Sequence, residues 1–381
     1  MIYLDHHATT PPSPAVIEAV CATMRDTWAN ASSQHAGGQG AKLALGAARS
    51  SVAKSLGCKP NEVVFTSGAT EANHLAVRGL LAAATADRRR VVFGSVEHAG
   101  HLKLAHDLAG AGVPVSFLPV TPDGALDLDA AIRAIGPDVA VVSLMAANNE
   151  TGVHMPVGEV AALAQAVGAR LHVDATQWVG KRPFAWADWG ADAVSFSGHK
   201  FHGPKGVGAL LLRQGVALRP SVPGSQERGR RGGTENLPAI VGMAAALAAL
   251  GDVDAEAARQ TALRDRMERA LVDGLPDVHI WSRGLPRLPG VSFLRVGAWS
   301  ADVVLGRLER LGFAGSSGAA CSSSGSEPSH VLTAMGVPAE EALGAVRLSI
   351  GRTTTDADID ALVAALPTLR SLLPAAQAAA A

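Results

Sequence analysis

Short β-branched runs alternate with alanine-rich, helix-length segments through the first two thirds of the chain. Candidate strands cover residues 62–66, 90–94, 114–118, 139–144, 170–173, 193–196 and 208–212, and candidate helices cover residues 71–84, 100–109, 128–135 and 157–167. Strands that alternate with helices are typical of βαβ units, in which helices cover both faces of a parallel sheet. The pattern therefore predicts an α/β fold with a mostly parallel sheet, and such sheets bind ligands beyond the carboxyl ends of their strands.

The length of the chain and its last third indicate a second domain. A single hydrophobic core stops growing at about 250–300 residues, and this chain has 381. A helical stretch begins near Thr234, breaks around Gly251 and continues to about Val272, and prolines such as Pro276 and Pro286 then separate shorter elements. We expect the hinge between two domains in this region.

Composition and charge exclude several classes of protein. The chain has 33 Lys and Arg residues against 34 Asp and Glu residues, so its formal charge of −1 supplies no basic surplus to attract nucleic acid or acidic lipid. The longest uncharged apolar run, residues 239–250, is shorter than the roughly 20 residues that span a bilayer. We therefore expect neither direct nucleic-acid binding nor membrane insertion.

The three cysteines, Cys21, Cys58 and Cys321, are too far apart to form a C-x-x-C pair. Neither a disulfide framework nor a zinc ribbon is available to such a chain, which favours a reducing compartment. The first residues contain no basic stretch followed by an apolar run, so we expect no secretory signal. These observations predict a cytoplasmic protein without a bound metal.

A lysine and an aspartate follow two neighbouring candidate strands. Asp174 ends the strand at 170–173, and Lys200 comes 26 residues later, after the strand at 193–196. Taken alone, Lys200 would be interpreted as a surface lysine in a loop. Together, Lys200 and Asp174 are the two fixed groups that pyridoxal phosphate requires, a lysine for the Schiff base and a carboxylate for the pyridinium nitrogen. Residues 66–71, Thr-Ser-Gly-Ala-Thr-Glu, add a strand-to-helix turn able to bind a phosphate, although a helix cap without a ligand would have the same sequence.

Further motifs occur in the same order as in a known enzyme family. They lie at residues 3–5, 8–11, 32–35, 66–71, 97–98, 148–152, 174–177, 197–200, 203–206, 226–236, 316–321, 327–330 and 347–352. With these motifs the chain resembles the cysteine desulfurases, closest to the nitrogen-fixation and iron–sulfur-cluster-assembly type. They belong to the class V aminotransferase superfamily and to the fold-type I enzymes that use pyridoxal phosphate.

The resemblance implies a fold and an assembly. A large domain at residues 12–254 would hold the cofactor on a mostly parallel seven-stranded sheet, and residues 1–11 and 255–381 would form a smaller α+β domain. It also implies a homodimer with its sites at the interface, in agreement with the prevalence of two-fold oligomers.

The resemblance also implies roles for individual residues. Lys200 would hold pyridoxal 5'-phosphate and later move protons at the substrate Cα. His98 would stack on the cofactor ring and serve in acid–base steps, Asp174 would pair with the ring nitrogen, and Gln177 would bond the phenolic oxygen. The remaining positions match phosphate-binding and substrate-carboxylate-binding groups: Ala69, Thr70, Ser197 and His199 for the phosphate, Thr234 for the phosphate of the neighbouring subunit, and Asn149 and Arg347 for the carboxylate.

Cys321 distinguishes a desulfurase from an ordinary aminotransferase. It lies within the Gly- and Ser-rich stretch 315–326, which predicts a mobile loop. The resemblance implies that L-cysteine becomes L-alanine while the Cys321 thiolate takes the sulfur as a persulfide. The sulfur would then pass to an acceptor or scaffold protein. Without Lys200 and Asp174, a chance cysteine in a linker would be the preferred interpretation.

Several alternatives stay open. A selenocysteine lyase, a cystine lyase or an aminotransferase would use the same fold, and a catalytically silent scaffold would retain it without the cofactor. The acceptor pathway is equally open among nitrogenase maturation, general iron–sulfur assembly, tRNA thiolation and sulfur modification of DNA. Ala31, residues 223–225 and Ala319 depart from the family pattern, mainly at positions that shape loops.

Overall fold

A seven-stranded sheet forms the centre of the larger part of the molecule. The structure is a computed structural model that describes residues 1–318 and 327–373. All seven predicted strands form: β2 (Val63–Thr66), β3 (Arg90–Gly94), β4 (Val115–Leu118), β5 (Val139–Met145), β6 (Arg170–Asp174), β7 (Ala193–Ser197) and β8 (Gly208–Leu212). Their order in the sheet is β2-β8-β7-β6-β5-β3-β4, and β8 is the one strand of this sheet that runs opposite to the other six. The prediction of a mostly parallel sheet is confirmed.

Successive residues of the strands point into two different hydrophobic clusters. Val91 and Phe93 pack with one cluster, together with α3 (Ala69–Ala83) and α4 (Ala99–Gly110), whereas Val92 between them packs with the other. The second cluster includes residues of α1 (Pro14–Asp26), α2 (Ala36–Leu56), α6 (Val157–Val167) and α7 (Leu237–Ala248). Burial of both faces explains why most residues of these strands are apolar. The polar side chains within β5, β6 and β7, Ser143, His172 and Ser195, are buried and hydrogen-bonded to one another. A shorter helix, α5 (Leu128–Ala134), lies between β4 and β5 along the chain.

The last third of the chain builds a second core around an antiparallel sheet. This sheet has the order β12-β13-β10-β9, formed by Ser316–Ser317, Val346–Ser349, Val291–Val296 and Val278–Ile280. The helices of this part are α8 (Val253–Gly274), α9 (Ala301–Arg310), α10 (His330–Ala334), α11 (Ala339–Ala342) and α12 (Asp356–Leu372). The break predicted near Gly251 separates α7 from α8, and Gly251 takes the left-handed φ of 62°.

The N-terminal residues belong to this second core. Strand β1 (Ile2–Tyr3) pairs in parallel with β11 (Phe313–Ala314), and Leu4 is fully buried within this second core. The domain boundaries at residues 11/12 and 254/255 stay a prediction. Within the described ranges, no single helix is both long and apolar enough to cross a membrane. Helices α7 and α8 meet that criterion only as a pair, with a bend of 79° between them.

Candidate active site

A cavity of about 650 Å³ opens at the carboxyl ends of the central strands. Met145, Asp174 and Ser197, the last residues of β5, β6 and β7, all line it. The cavity also contains most of the other residues singled out from the sequence: Ala69, Thr70, His98, Asn149, Gln177, His199, Lys200 and Arg347. Segments distant in sequence converge here because parallel strands end at the same edge of a sheet.

Lys200 ends a short 3₁₀ turn, Gly198–Lys200, that directly follows β7. Its Nζ donates hydrogen bonds to the carbonyl oxygens of His7 at 2.6 Å and Ala8 at 2.8 Å. The turn is tight, since a Cβ added to Gly203 would lie 2.8 Å from the carbonyl oxygen of Gly198. The N-terminal segment and β7 therefore hold the amine between them at the cavity wall.

The carboxylate of Asp174 is buried and held on both oxygens. Its Oδ2 accepts from Nδ2 of Asn73 at 2.7 Å, and its Oδ1 accepts from the backbone N–H of Thr176 at 2.9 Å. Asn73 lies on α3, three residues after Thr70, so the helix that begins at the cavity also supports the carboxylate. A carboxylate fixed in this way can face a protonated ring nitrogen without moving.

The N-terminus of α3 forms the opposite end of the cavity. Gly68 is its N-cap and supplies no side-chain hydrogen bond, so the first backbone N–H groups, including those of Ala69 and Thr70, are available to an anion. Gly208 of β8 permits this arrangement, because a Cβ there would lie 2.7 Å from the backbone of Gly68. The hydroxyl-bearing Ser197 also lines this cavity. This end of the cavity has the donors that a phosphate group requires.

His98 is the N-cap of α4, and its Nδ1 accepts a hydrogen bond from the backbone N–H of Gly100 at 3.2 Å. An accepting Nδ1 carries no proton. Burial lowers the pKa of His98 below the usual value for histidine; the Asp174 carboxylate opposes this effect, and the cations Lys200 and Arg347 add to it. The residue is therefore a neutral imidazole whose proton lies on Nε2.

Arg347, on β13, is 5% exposed and is held from two sides. Its Nη2 donates to the Asp5 carboxylate at 3.0 Å, and its Nη1 donates to the carbonyl oxygen of Asn149 at 3.1 Å. Two buried atoms, Nε of Arg347 and Oδ1 of Asn149, have no hydrogen-bond partner in the described part of the chain. The buried Nε–H of the Arg347 guanidinium, next to the Asn149 amide, can donate to the carboxylate of a ligand.

One of the singled-out residues, Thr234, does not line this cavity. Thr234 is exposed and lines a separate cavity of about 180 Å³ beside Gly206 and Arg231. Cys321 lies outside the described residues. Gly318, the last described residue before that segment, donates its backbone N–H to the carbonyl oxygen of Ala345 at 3.1 Å, two residues before Arg347.

Sequence reasoning missed four residues that support the cavity: Asp5, His7, Asn73 and Lys181. Asn73 could have been found, because it lies on the same helical face as Thr70. Asp5 lies in the motif at residues 3–5, but its partner could not be predicted, and His7 had no signal of its own. Their partners Arg347 and Asn149 are 342 and 142 residues away in the chain. Lys181 bonds Gln177 across a turn that the strand and helix pattern did not describe.

Comparison with known proteins gives consistent matches. The family model for aminotransferase class-V matches residues 2–362. A cysteine desulfurase from Cereibacter sphaeroides is 44% identical over 382 residues, which cover 98% of this chain and 97% of the relative. A solved NifS-like protein matches with a TM-score of 0.90 and 33% identity over 98% of this chain and all of its own. A structure of SspA in complex with cysteine matches with a TM-score of 0.83 and 30% identity, covering 93% of this chain and all of that one.

Proposed function

Since this chain belongs to the aminotransferase class-V family and is a cysteine desulfurase within it, we propose that it binds pyridoxal phosphate in the cavity and transfers the sulfur of L-cysteine to Cys321. The observation that carries the proposal is the convergence of Lys200, Asp174 and Arg347 on one cavity. A Schiff-base lysine, a partner for the pyridinium nitrogen and a clamp for the substrate carboxylate are thereby within reach of one small ligand.

The residues present fit this cofactor. The buried Asp174 carboxylate, held by Asn73, suits the ring nitrogen, and the uncapped N-terminus of α3 suits the phosphate. Ala69, Thr70, Ser197 and His199 would surround the phosphate, and Gln177 would donate to the phenolic oxygen. When bound, pyridoxal phosphate supplies an electron sink for the pair left at the substrate Cα after deprotonation.

The protein's own groups then bind the substrate and move its protons. The guanidinium of Arg347 and the amide of Asn149 would hold the carboxylate of L-cysteine, which fixes the orientation of Cα. The amine of Lys200 would remove the Cα proton of the bound substrate and later return one. His98, a neutral imidazole with its proton on Nε2, can exchange a proton with the substrate thiol.

Sulfur transfer requires a thiolate, and Cys321 is the best candidate for it. In the sequence Cys321 comes three residues after Gly318, whose backbone N–H donates to the carbonyl oxygen of Ala345, two residues before Arg347. The thiolate attacks the substrate sulfur, the S–S bond forms, and the Cβ–S bond breaks with its electron pair going to Cβ. Protonation of Cβ gives the methyl group of L-alanine, and Cys321 keeps the sulfur as a persulfide.

The other two cysteines are poor alternatives. Burial and the neighbouring Glu62 raise the pKa of the Cys58 thiol to about 12, so its thiolate is scarce near neutral pH. Cys21 is exposed on α1 and does not line the cavity. Neither thiol is both close to the substrate site and easily ionised.

The proposal extends to partners and location. A homodimer would bring the exposed Thr234 of one subunit to the phosphate of the other, and a sulfur-acceptor or scaffold protein would receive the persulfide sulfur. The cytoplasmic location predicted from the cysteine spacing is part of the same proposal. The structure of SspA with cysteine supports L-cysteine as the substrate.

Product analysis tests the proposed reaction. The purified protein, loaded with pyridoxal phosphate and given L-cysteine with a thiol reductant, is expected to release alanine and sulfide in equal amounts. Without the reductant, mass spectrometry is expected to find one additional sulfur atom on the peptide that contains Cys321. Formation of a keto acid would indicate an aminotransferase instead, and a colourless protein that takes up no cofactor would contradict the proposal.

Replacing Arg347 by lysine tests the substrate clamp. Lysine keeps the charge but lacks the planar fork that binds a carboxylate through two parallel hydrogen bonds. Losing one such charged hydrogen bond is expected to raise KM for L-cysteine roughly 10- to 100-fold, with a smaller effect on kcat. Arg295→Lys is a matched control, because Arg295 lies on the adjacent strand β10 and binds Asp277 and Glu341 away from the cavity. An unchanged KM in Arg347→Lys would remove this residue from the clamp.

A further inference from the structure

We propose that Lys181 is a positioning residue for the cofactor site: its side-chain amine holds the amide of Gln177 so that Nε2, not Oε1, faces the phenolic oxygen of pyridoxal phosphate. This inference rests on the proposed function. Lys181 Nζ donates to Oε1 of Gln177 at 2.6 Å, and Gln177 is 6% exposed and lines the cavity.

The orientation of the Gln177 amide matters because its two ends have opposite hydrogen-bonding roles. Nε2 has two N–H donors, and Oε1 has only lone pairs. One N–H is used by the carbonyl oxygen of His7, at 3.0 Å. The second N–H is left for a ligand in the cavity. If the amide were turned over, Oε1 would face an electron-rich phenolic oxygen, and the contact would become repulsive.

Two neighbours together select the useful orientation. The His7 carbonyl only accepts hydrogen bonds, so it must meet Nε2, and a lysine ammonium only donates, so it must meet Oε1. Lys181 is four residues beyond Gln177, and its backbone N–H donates to the carbonyl oxygen of Trp178 at 3.0 Å. This turn places the amine beside the amide.

The electrostatic surroundings of Lys181 connect it to the cofactor. Burial and the cations Lys200 and Arg347 lower the pKa of Lys181 well below the usual value for lysine. The positive charge of Lys181 also contributes to the lowered pKa of four nearby histidines, His6, His7, His199 and His202. This concentration of basic groups suits an anionic ligand, whose phosphate and phenolic oxygens would favour the ammonium form of Lys181. Cofactor binding and the donor role of Lys181 therefore reinforce each other.

Cofactor binding to the apoenzyme tests the inference, with two readouts that do not require turnover. The dissociation constant of pyridoxal phosphate and the visible absorption maximum of the bound cofactor are measured for Lys181→Met and Lys181→Arg. Lys181→Met is expected to bind about tenfold more weakly, as for loss of one charged hydrogen bond, and to shift the absorption maximum. Lys181→Arg keeps a donor-only group and is expected to restore both values to nearly those of the wild type.

A double-mutant cycle separates positioning from a general loss of charge. In a Gln177→Ala background there is no amide to orient, so Lys181→Met is expected to weaken binding by less than about twofold further. If the two losses multiply instead, Lys181 acts on the cofactor by charge alone and the inference is wrong. The inference is also wrong if the wild type binds the cofactor and Lys181→Met has the same dissociation constant and the same absorption maximum. A wild type that binds no cofactor would overturn the proposed function itself, and the inference with it.

Discussion

Cys321→Ala is expected to lose alanine production from L-cysteine by a factor of at least about 10⁴ while it keeps the visible absorption of the bound cofactor. Removal of a covalent nucleophile has effects of this size, because no water or neighbouring group replaces it in the reaction. The cofactor should be unaffected, since the residues proposed to hold it lie elsewhere: Lys200, Asp174 and the N-terminus of α3. Alanine release and the absorption spectrum are measured on the same preparation.

Cys21→Ala and Cys58→Ala are the matched controls for this prediction. Both remove a thiol from the described part of the chain, and neither thiol lines the cavity. We expect both variants to turn over L-cysteine at rates close to that of the wild type. Undiminished turnover in Cys321→Ala would refute the assignment of the sulfur carrier, whereas a loss of cofactor in that variant would show that the substitution had damaged the site itself.

Lys200→Ala is expected to abolish the covalent link to the cofactor and to reduce turnover by at least about 10⁴. The amine has two proposed tasks, attachment of the cofactor and proton transfer at the substrate Cα, and no group of the same kind remains in its place. The described residues include a second lysine on the cavity wall, Lys205, but its side chain is exposed and it follows a different turn. The measurement is the visible spectrum before and after borohydride reduction, with the modified peptide identified by mass.

Lys59→Ala serves as the control for Lys200→Ala, because Lys59 bonds Gln214 on the surface and does not touch the cavity. It is expected to retain both the spectrum and the rate. A spectrum of Lys200→Ala identical to that of the wild type, with the cofactor still fixed by borohydride, would assign the covalent link to another lysine.

Much of the fold could be predicted because it follows from local patterns. Strands such as β5, β6 and β7 are almost entirely buried, so each appears in the sequence as a short segment rich in apolar and β-branched residues. Asp174 and Ser197 then end adjacent parallel strands, and their meeting at one edge of the sheet follows from the topology alone. The positions of Asp174 and Ser197 in the site therefore follow from the order of the strands.

The rest of the site depends on contacts between residues far apart in the chain, which local patterns do not indicate. Asp5 reaches Arg347 because β1 pairs with β11 and because Asp5 forms a bridge with Ser349, two residues after Arg347. The strands of that core are two to six residues long, too short for a clear alternation. Lys181 lies in a turn without regular periodicity, so nothing in the sequence pattern connects its amine to Gln177.

The contacts of residues 5–8 also set an order of events during protein synthesis. Asp5 binds Arg347, and Lys200 binds the carbonyls of His7 and Ala8. At roughly 5–20 residues per second, the ribosome needs roughly 20–70 s to proceed from Asp5 to Arg347. Strands β2 to β8 can pair during that interval, but the N-terminal segment must wait for its partners. A nascent chain can therefore build its central sheet early and complete the substrate clamp only when translation is nearly finished.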